Sequence, residues 1–206
     1  NFLTEESLKI AFKLGEVDKI VNLNDIGGFA DWKNINIESR LNYNQYVGLF
    51  FNTAKPLFSE KSLRQALAYA LDKDFNKERA DGPLNPFSWA YNSDVKTYEY
   101  NFENATKLFN KAVEGGDKNP IIKMYTISSL LGQAEKIQKA WGKLGLIVKI
   151  GAFYDPAEDY DVLLAIQEIP VDPDQYNLWH STQNSNITHY KNLRIDKLLE
   201  DGRQTI

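Results

Sequence analysis

The sequence predicts an α/β domain, a sheet with parallel strands and helices packed against it. Three observations predict it. Residues 121–150 run strand, helix, strand with a short return through Gly145, a βαβ order that calls for parallel pairing. Asp161–Gln167 is apolar at almost every position, as in a strand covered on both faces and therefore central in its sheet. Leu63, Ala66, Leu67, Ala70, Leu71 and Phe75 recur at i, i+3, i+4 and i+7, the stripe of a helix with one face turned inward.

From the N-terminus, Thr4 caps a helix carrying Leu8, Ala11 and Phe12, which Gly15 closes. Val17–Val21 alternates and reads as a short strand. Residues 22–45 are rich in Asn, Asp and Gly and read as loop or linker. Tyr46–Phe51 is a buried strand, stopped by Asn52 and Pro56. Ser59 caps the long striped helix, Glu60–Arg79, with Lys73 on its outer side. Residues 80–100, with Pro83, Pro86, Phe87, Trp89, Tyr91, Tyr98 and Tyr100, form a loop too aromatic for a spacer. Asn101 caps a helix from Phe102 to Val113, closed by Gly115 and Gly116. Then come strand Ile121–Ile127, helix Leu130–Leu144 with Trp141 on its apolar face, and strand Leu146–Ile150. Val171–Asp174 is a turn opening a short helix that Tyr176 and Trp179 pack down. Ile195–Arg203 is a final helix, docked through Leu198 and Leu199.

Composition excludes several functions. The chain has 206 residues, 24 Lys plus Arg against 28 Asp plus Glu, and a net charge of −4. An acidic chain is a poor partner for a phosphate backbone, so nucleic acid is not expected. With no Cys there is no disulfide, thiolate nucleophile or Cys-ligated metal. No apolar run reaches the roughly 18 residues a membrane helix needs. Neither Gly-x-Ser-x-Gly, a Gly-rich phosphate loop nor His-Glu-x-x-His is present. His180 and His189 lie nine positions apart, which fits neither one helix face nor a zinc spacing, so a surface or hydrogen-bonded role is expected and no metal or cofactor.

Four segments are similar to the family 5 extracellular solute-binding proteins, the dipeptide, oligopeptide, nickel and oligosaccharide receptors of ABC importers. FFNTAKPLFSEKSLRQALAYALDKD, residues 50–74, resembles the family's strand, Phe-Asn, Pro and Arg-Gln-Ala helix. AEKIQKAWGKLGLIVKI, residues 134–150, resembles its helix and strand through Leu-Gly. YDVLLAIQEIPVDPDQYNLWHS and YKNLRIDKLLEDGR, residues 160–181 and 190–203, resemble its Tyr-Asp strand, Asp-Pro-Asp turn and final helix. LKIAFKLGEVDKIV, residues 8–21, resembles its Gly-Glu-Val-Asp segment. The resemblance implies a periplasmic-binding-protein-like, type II lobe with a mixed sheet flanked by helices. It implies that residues 1–45 are the tail of a first lobe and the crossover, and that residues 46–206 are the second ligand-binding lobe. A return segment is expected beyond Ile206. It further implies an extracytoplasmic protein in the periplasm or at the cell surface, membrane-associated only through an N-terminal anchor outside this sequence. The expected protein is a monomer that hands a peptide or oligosaccharide-like solute to ABC permease transmembrane subunits, and not an enzyme.

In that family the loop after the long helix and the segment after the Tyr-Asp strand face the cleft. Here those are Phe87, Ser88 and Trp89, then Gln167, Glu168 and Ile169. Gln167 stands where many relatives carry Trp. Ile169 stands where peptide binders carry the Asp that pairs with a free amine, and a buried ammonium without a carboxylate is costly. Strand alternation turns Glu168 to the opposite face. Gln167 has both a donor and an acceptor, which suits hydroxyls or amides. Trp89 either stacks on a ligand or plugs the core beneath its own loop. Arg64 is expected to pair with an acidic group or a helix C-terminus. The alternative function is a carbohydrate-active enzyme fragment using Asp155, Asp159, Asp161, Asp172 and Asp174 as paired carboxylates. Asp172 and Asp174 also suit a turn and helix cap.

Overall fold

The βαβ reading of residues 121–150 holds in the computed structural model, which describes residues 4–23, 26–73, 79–152 and 159–204. The chain divides into two units, Asn1–Arg40 and Leu41–Ile206.

In the first unit α1 spans Glu5–Lys13. Thr4 accepts from the Ser7 amide at 3.1 Å while Ser7 Oγ accepts from the Thr4 amide at 3.3 Å, a reciprocal cap. Gly15, at φ +74°, ends the helix in the left-handed conformation. A 3-10 turn, Gly27–Asp31, buries Phe29 edge-on against Phe12 at 5.4 Å and Trp32 at 5.3 Å. The strand expected at Val17–Val21 does not form: its residues pair with no other strand among those described, and an isolated extended segment has no ladder to hold it.

The second unit is built on a four-stranded mixed sheet in the order β1-β4-β2-β3. The strands are β1 Gln45–Phe51, β2 Ile121–Thr126, β3 Ile147–Ala152 and β4 Val162–Glu168. β2 runs parallel to β3 and to β4, while β1 runs antiparallel to β4, with Gln45 opposite Glu168 and Phe51 opposite Val162. The apolar β4 is central, as its composition predicts. On one face Val162, Leu164, Ile122, Met124 and Val148 meet α3 (Lys61–Tyr69), α4 (Phe102–Ala112) and α5 (Leu131–Gly142). On the other, Phe50, Leu163 and Tyr160 form a smaller cluster joined by Tyr46, Tyr125 and Trp179.

Three expectations need correction. β1 is not buried: it is the outer strand, with Phe50 4% exposed but Val47 50% exposed. The long helix ends at Tyr69 instead of Arg79, because the Asn101 amide and the Lys73 ammonium take over its last carbonyls. The Asn101 amide donates to Tyr69 O at 2.9 Å, and the Lys73 ammonium donates to Ala68 O at 2.8 Å and to Tyr98 O. Lys73 therefore lies past the helix, and burial lowers its pKa. The stripe from Leu63 to Leu71 is buried as expected, while Phe75 falls outside the described residues. Ser59 does not cap α3: it closes a separate turn of helix, α2 (Pro56–Ser59), where its hydroxyl donates to Pro56 O at 2.7 Å. Asn101 does cap α4, accepting from the Asn104 amide at 2.9 Å.

After a single turn of helix, α6 (Tyr176–Trp179), the last helix, α7 (Leu193–Gln204), docks through polar groups. Leu198 is 62% exposed, and the buried residue of the helix is Asp196. Asp196 accepts from the Ser181 amide at 2.9 Å and from the Ser181 hydroxyl. His180 Nε2 lies 3.2 Å from Glu200, and Arg203 Nη2 donates to Asp174 at 2.6 Å while its guanidinium sits 3.9 Å above the Tyr176 ring. The Ser181 hydrogen bonds hold the Asp196 carboxyl below its usual 3.8, and the Arg203 hydrogen bond does the same for Asp174. Depressed carboxylates stabilise the fold above their unfolded value and stop doing so as pH falls through the folded one. Below about pH 4, α7 amides should lose hydrogen-exchange protection before β2 and β4 do. Equal loss in helix and sheet would show that these carboxylates do not hold α7.

Candidate functional site

In an open α/β sheet, ligands bind at the carboxyl ends of the parallel strands. Here β2 and β3 end side by side at Thr126 and Ala152, while β4 runs on past Leu164, the partner of Thr126, and carries Gln167, Glu168 and Ile169 beyond that end. The antiparallel β1 starts there, with Tyr46 opposite Gln167. The Ile169 amide donates to Asn44 O at 2.7 Å. Asn85 Nδ2 donates to Asn44 Oδ1 at 3.2 Å, Asn85 Oδ1 accepts from the Phe87 amide at 2.9 Å, and the Phe87 ring packs edge-on against Tyr43 at 5.0 Å. The loop carrying Phe87, Ser88 and Trp89 is thus tied to the sheet end carrying Gln167 to Ile169, and the two groups of sequence-selected residues share one end of the unit.

The loop is clamped at its base and open at its tip. Arg79 bonds Glu99 at 2.8 Å and Thr97 O, and the Lys96 ammonium lies 4.8 Å from the Tyr98 ring centre. Ser88 Oγ accepts from the Ala90 amide at 3.3 Å, a turn contact within the tip. Phe87 is 78% exposed and Trp89 87%. Trp89 therefore does not plug the core of this unit. Gln167 is half-buried, and its amide nitrogen donates to Glu168 O at 2.9 Å. Glu168 is exposed, opposite Gln45.

A cavity of about 420 Å³ runs along the outer side of β1, between Gly82 and Pro83 and the rings of Tyr46, Phe50, Trp179 and Tyr190. Its floor depends on a glycine. A Cβ on Gly48 would sit 2.8 Å from the Phe50 ring and 3.1 Å from that of Tyr46. Phe50 is buried and stacks in turn on Trp179, ring centres 6.3 Å apart, so moving it disturbs that packing. Gly48→Ala should cost about 1–3 kcal/mol in urea unfolding; a neutral result would mean the rings yield freely. Burial pushes the Tyr46 hydroxyl up to about 12, so it stays protonated at neutral pH. Sequence reading missed Tyr43, Asn44, Tyr46 and Asn85. The polar run Asn42-Tyr43-Asn44 just before a strand was the available signal.

The acidic residues serve structure. Asp159 pairs with Lys55 and, at 3.1 Å, with Lys123, hydrogen bonds that lower its pKa. Asp161 accepts from the Lys123 amide at 2.8 Å. Asp172 accepts from the Asp174 amide at 3.0 Å and Asp174 from the Tyr176 amide at 2.9 Å, the expected turn and cap. Asp155 lies outside the described residues. Arg64 meets a helix C-terminus as expected, donating to Phe58 O and Ser59 O of α2. His180 is buried, and its ring nitrogens face Thr182 and Glu200.

Residues 2–188 match the family model "Bacterial extracellular solute-binding proteins, family 5 Middle". The chain belongs to this family. The family 5 chain is 30% identical over 193 residues to the oligopeptide-binding protein AppA of Bacillus subtilis, covering 77% of this chain and 36% of AppA. It is 28% identical to the dipeptide-binding protein of Escherichia coli, covering 88% of this chain and 38% of that protein. Among solved structures, AppA from Bacillus subtilis in complex with a nonapeptide superposes with a TM-score of 0.80 at 24% identity, over 98% of this chain and 47% of that one. CtaP from Listeria monocytogenes, an ABC transporter substrate-binding protein, gives 0.87 at 23%, over 100% and 46%. These likenesses give the periplasmic-binding-protein-like, type II fold. The chain spans well under half the length of the curated relatives it matches. Family membership places it among solute-binding proteins and not enzymes.

Proposed function

We propose that residues 46–206 form a ligand-binding lobe of an extracytoplasmic receptor that delivers a solute to an ABC permease, with residues 1–45 belonging to the first lobe and crossover. The solute contacts Phe87, Ser88 and Trp89 on one side and Gln167, Glu168 and Ile169 on the other. The observation that carries this reading is the exposed Phe87–Trp89 tip tethered through Asn85 and Asn44 to the strand end of Gln167 to Ile169. A rigid aromatic face loses little entropy on meeting a ligand. Its clamped base makes the loop a presenter of that face. Ile169 offers no charge to an amine, while Gln167 offers donor and acceptor, so the ligand is neutral and polar where it meets this lobe: a peptide held by its backbone, or an oligosaccharide. The peptide-binding relatives favour the first. Capture proceeds by closure of two lobes over the ligand, by a monomer held at the membrane only through a segment outside this sequence.

In the full-length receptor, Trp89→Ala should weaken ligand binding at least about tenfold, some 1.4 kcal/mol, with the melting temperature unchanged. Gln167→Ala should act in the same direction more mildly. Calorimetric titration beside thermal melts decides it. A lowered melting temperature with unchanged affinity would make Trp89 structural.

A further inference from the structure

We infer that the opposite end of the sheet carries a second site, one for a small oxyanion such as a carboxylate or phosphate group. It does not rest on the solute contacts proposed above, although its cavity shares Thr53, Arg64 and Tyr190 with the cavity along β1. β1 runs from Gln45, beside Glu168, to Phe51, so Thr53 lies at the far end from Gln167 to Ile169. There a cavity of about 440 Å³ is lined by Arg64, His189 and Lys191, with Thr53, Ser59 and Tyr190, and by no carboxylate. That volume is the size of a small-solute pocket.

Two of the three nitrogen groups, those of Arg64 and His189, are placed on fixed supports. Arg64 Nη1 is pinned by Phe58 O at 2.5 Å and Ser59 O at 2.8 Å, and the guanidinium lies 5.8 Å from the Tyr190 ring centre. Those bonds occupy one nitrogen of a five-donor fork. His189 sits at φ +51°, a left-handed conformation that costs free energy for a residue with a Cβ. It is kept there by its amide bond to Asn186 O at 3.0 Å and by the stacking of its ring on Tyr160 at 6.4 Å. Thr53 joins the same frame, its amide donating to Thr188 O at 2.8 Å. Among the described residues the Lys191 ammonium has no ion pair and the His189 ring no hydrogen-bond partner. Two permanent cations and an imidazole brought together without a counter-charge repel one another, and an oxyanion between them relieves this while satisfying several donors.

The test is ¹⁵N–¹H NMR titration of the 206-residue chain with inorganic phosphate, and separately with succinate, at constant ionic strength. Saturable shifts at Thr53, Ser59 and Lys191, with Gln167 to Ile169 unmoved, are expected for at least one of the two anions, and which one identifies the preferred group. Lys191→Ala should weaken binding at least tenfold. His189→Asn, which tolerates the left-handed backbone, should weaken it at least threefold, and Lys191→Ala should keep the native melting temperature. Arg64 is left intact because it also holds α2. Shifts that grow linearly without saturating, that are unchanged by Lys191→Ala, or that centre on Gln167 to Ile169 would overturn the site.

Discussion

Trp141→Ala should destabilise the chain by about 3–5 kcal/mol. Trp141 is fully buried, and its ring lies 6.1 Å from Phe51, which stacks in turn on Phe58 at 5.4 Å. One side chain therefore joins α5 to β1 and α3. Its indole N–H also donates to Leu67 O at 3.1 Å, so truncation leaves an apolar void and an orphaned carbonyl on α3. The two losses can be separated. Trp141→Phe restores most of the packing but not the donor, and should cost about 1–3 kcal/mol, the penalty of an unsatisfied buried acceptor. Chemical unfolding of both variants measures the difference. If Phe costs as much as Ala, the hydrogen bond dominates and the packing account is wrong.

Leu67→Ala should cost about 2–5 kcal/mol. Leu67 is fully exposure-free at mid-stripe of α3, in the cluster with Leu63, Ala66 and Ile137. The proper control is exposed Lys61 on the same helix, where Ala should change stability by less than about 0.5 kcal/mol. Lys73, placed on the outer face by the helical reading, is no control. It sits past the helix end with its ammonium on two carbonyls, so removing it opens polar contacts between α3 and the 98–101 segment. Equal losses at Leu67 and Lys61 would mean that the α3 phase is misassigned.

Where a residue's environment follows from its neighbours in sequence, the reading was good. The α3 stripe, the βαβ unit, the Asn101 cap and the Asp172–Asp174 turn are all local patterns. The failures share a cause in contacts distant along the chain. The apolar run Tyr46–Phe51 cannot reveal that it lies at the sheet edge, because that depends on which strand pairs with it. The helix end at Tyr69 is set by the Asn101 amide, more than thirty positions on. In α7 the periodic Leu198 and Leu199 suggested an apolar seam, but Ser181 and Asp174 offered polar partners and Asp196 took the buried place. For the candidate site, the aromatic loop and the strand end were visible, but the Asn44–Asn85 tether that unites them was not.

The pairing of β1 with β4 has a kinetic consequence. It joins segments far apart in the chain, as the buried bond from Asn52 to Tyr160, 108 positions away, illustrates. Closing so long a loop is entropically slow, whereas β2, α5 and β3 assemble from contiguous residues. The ladder that sets Tyr46 beside Gln167 and Asn44 beside Ile169 thus belongs to the late part of folding. A newly made chain is expected to form its βαβ layer before the candidate site, which is completed as β1 joins the sheet.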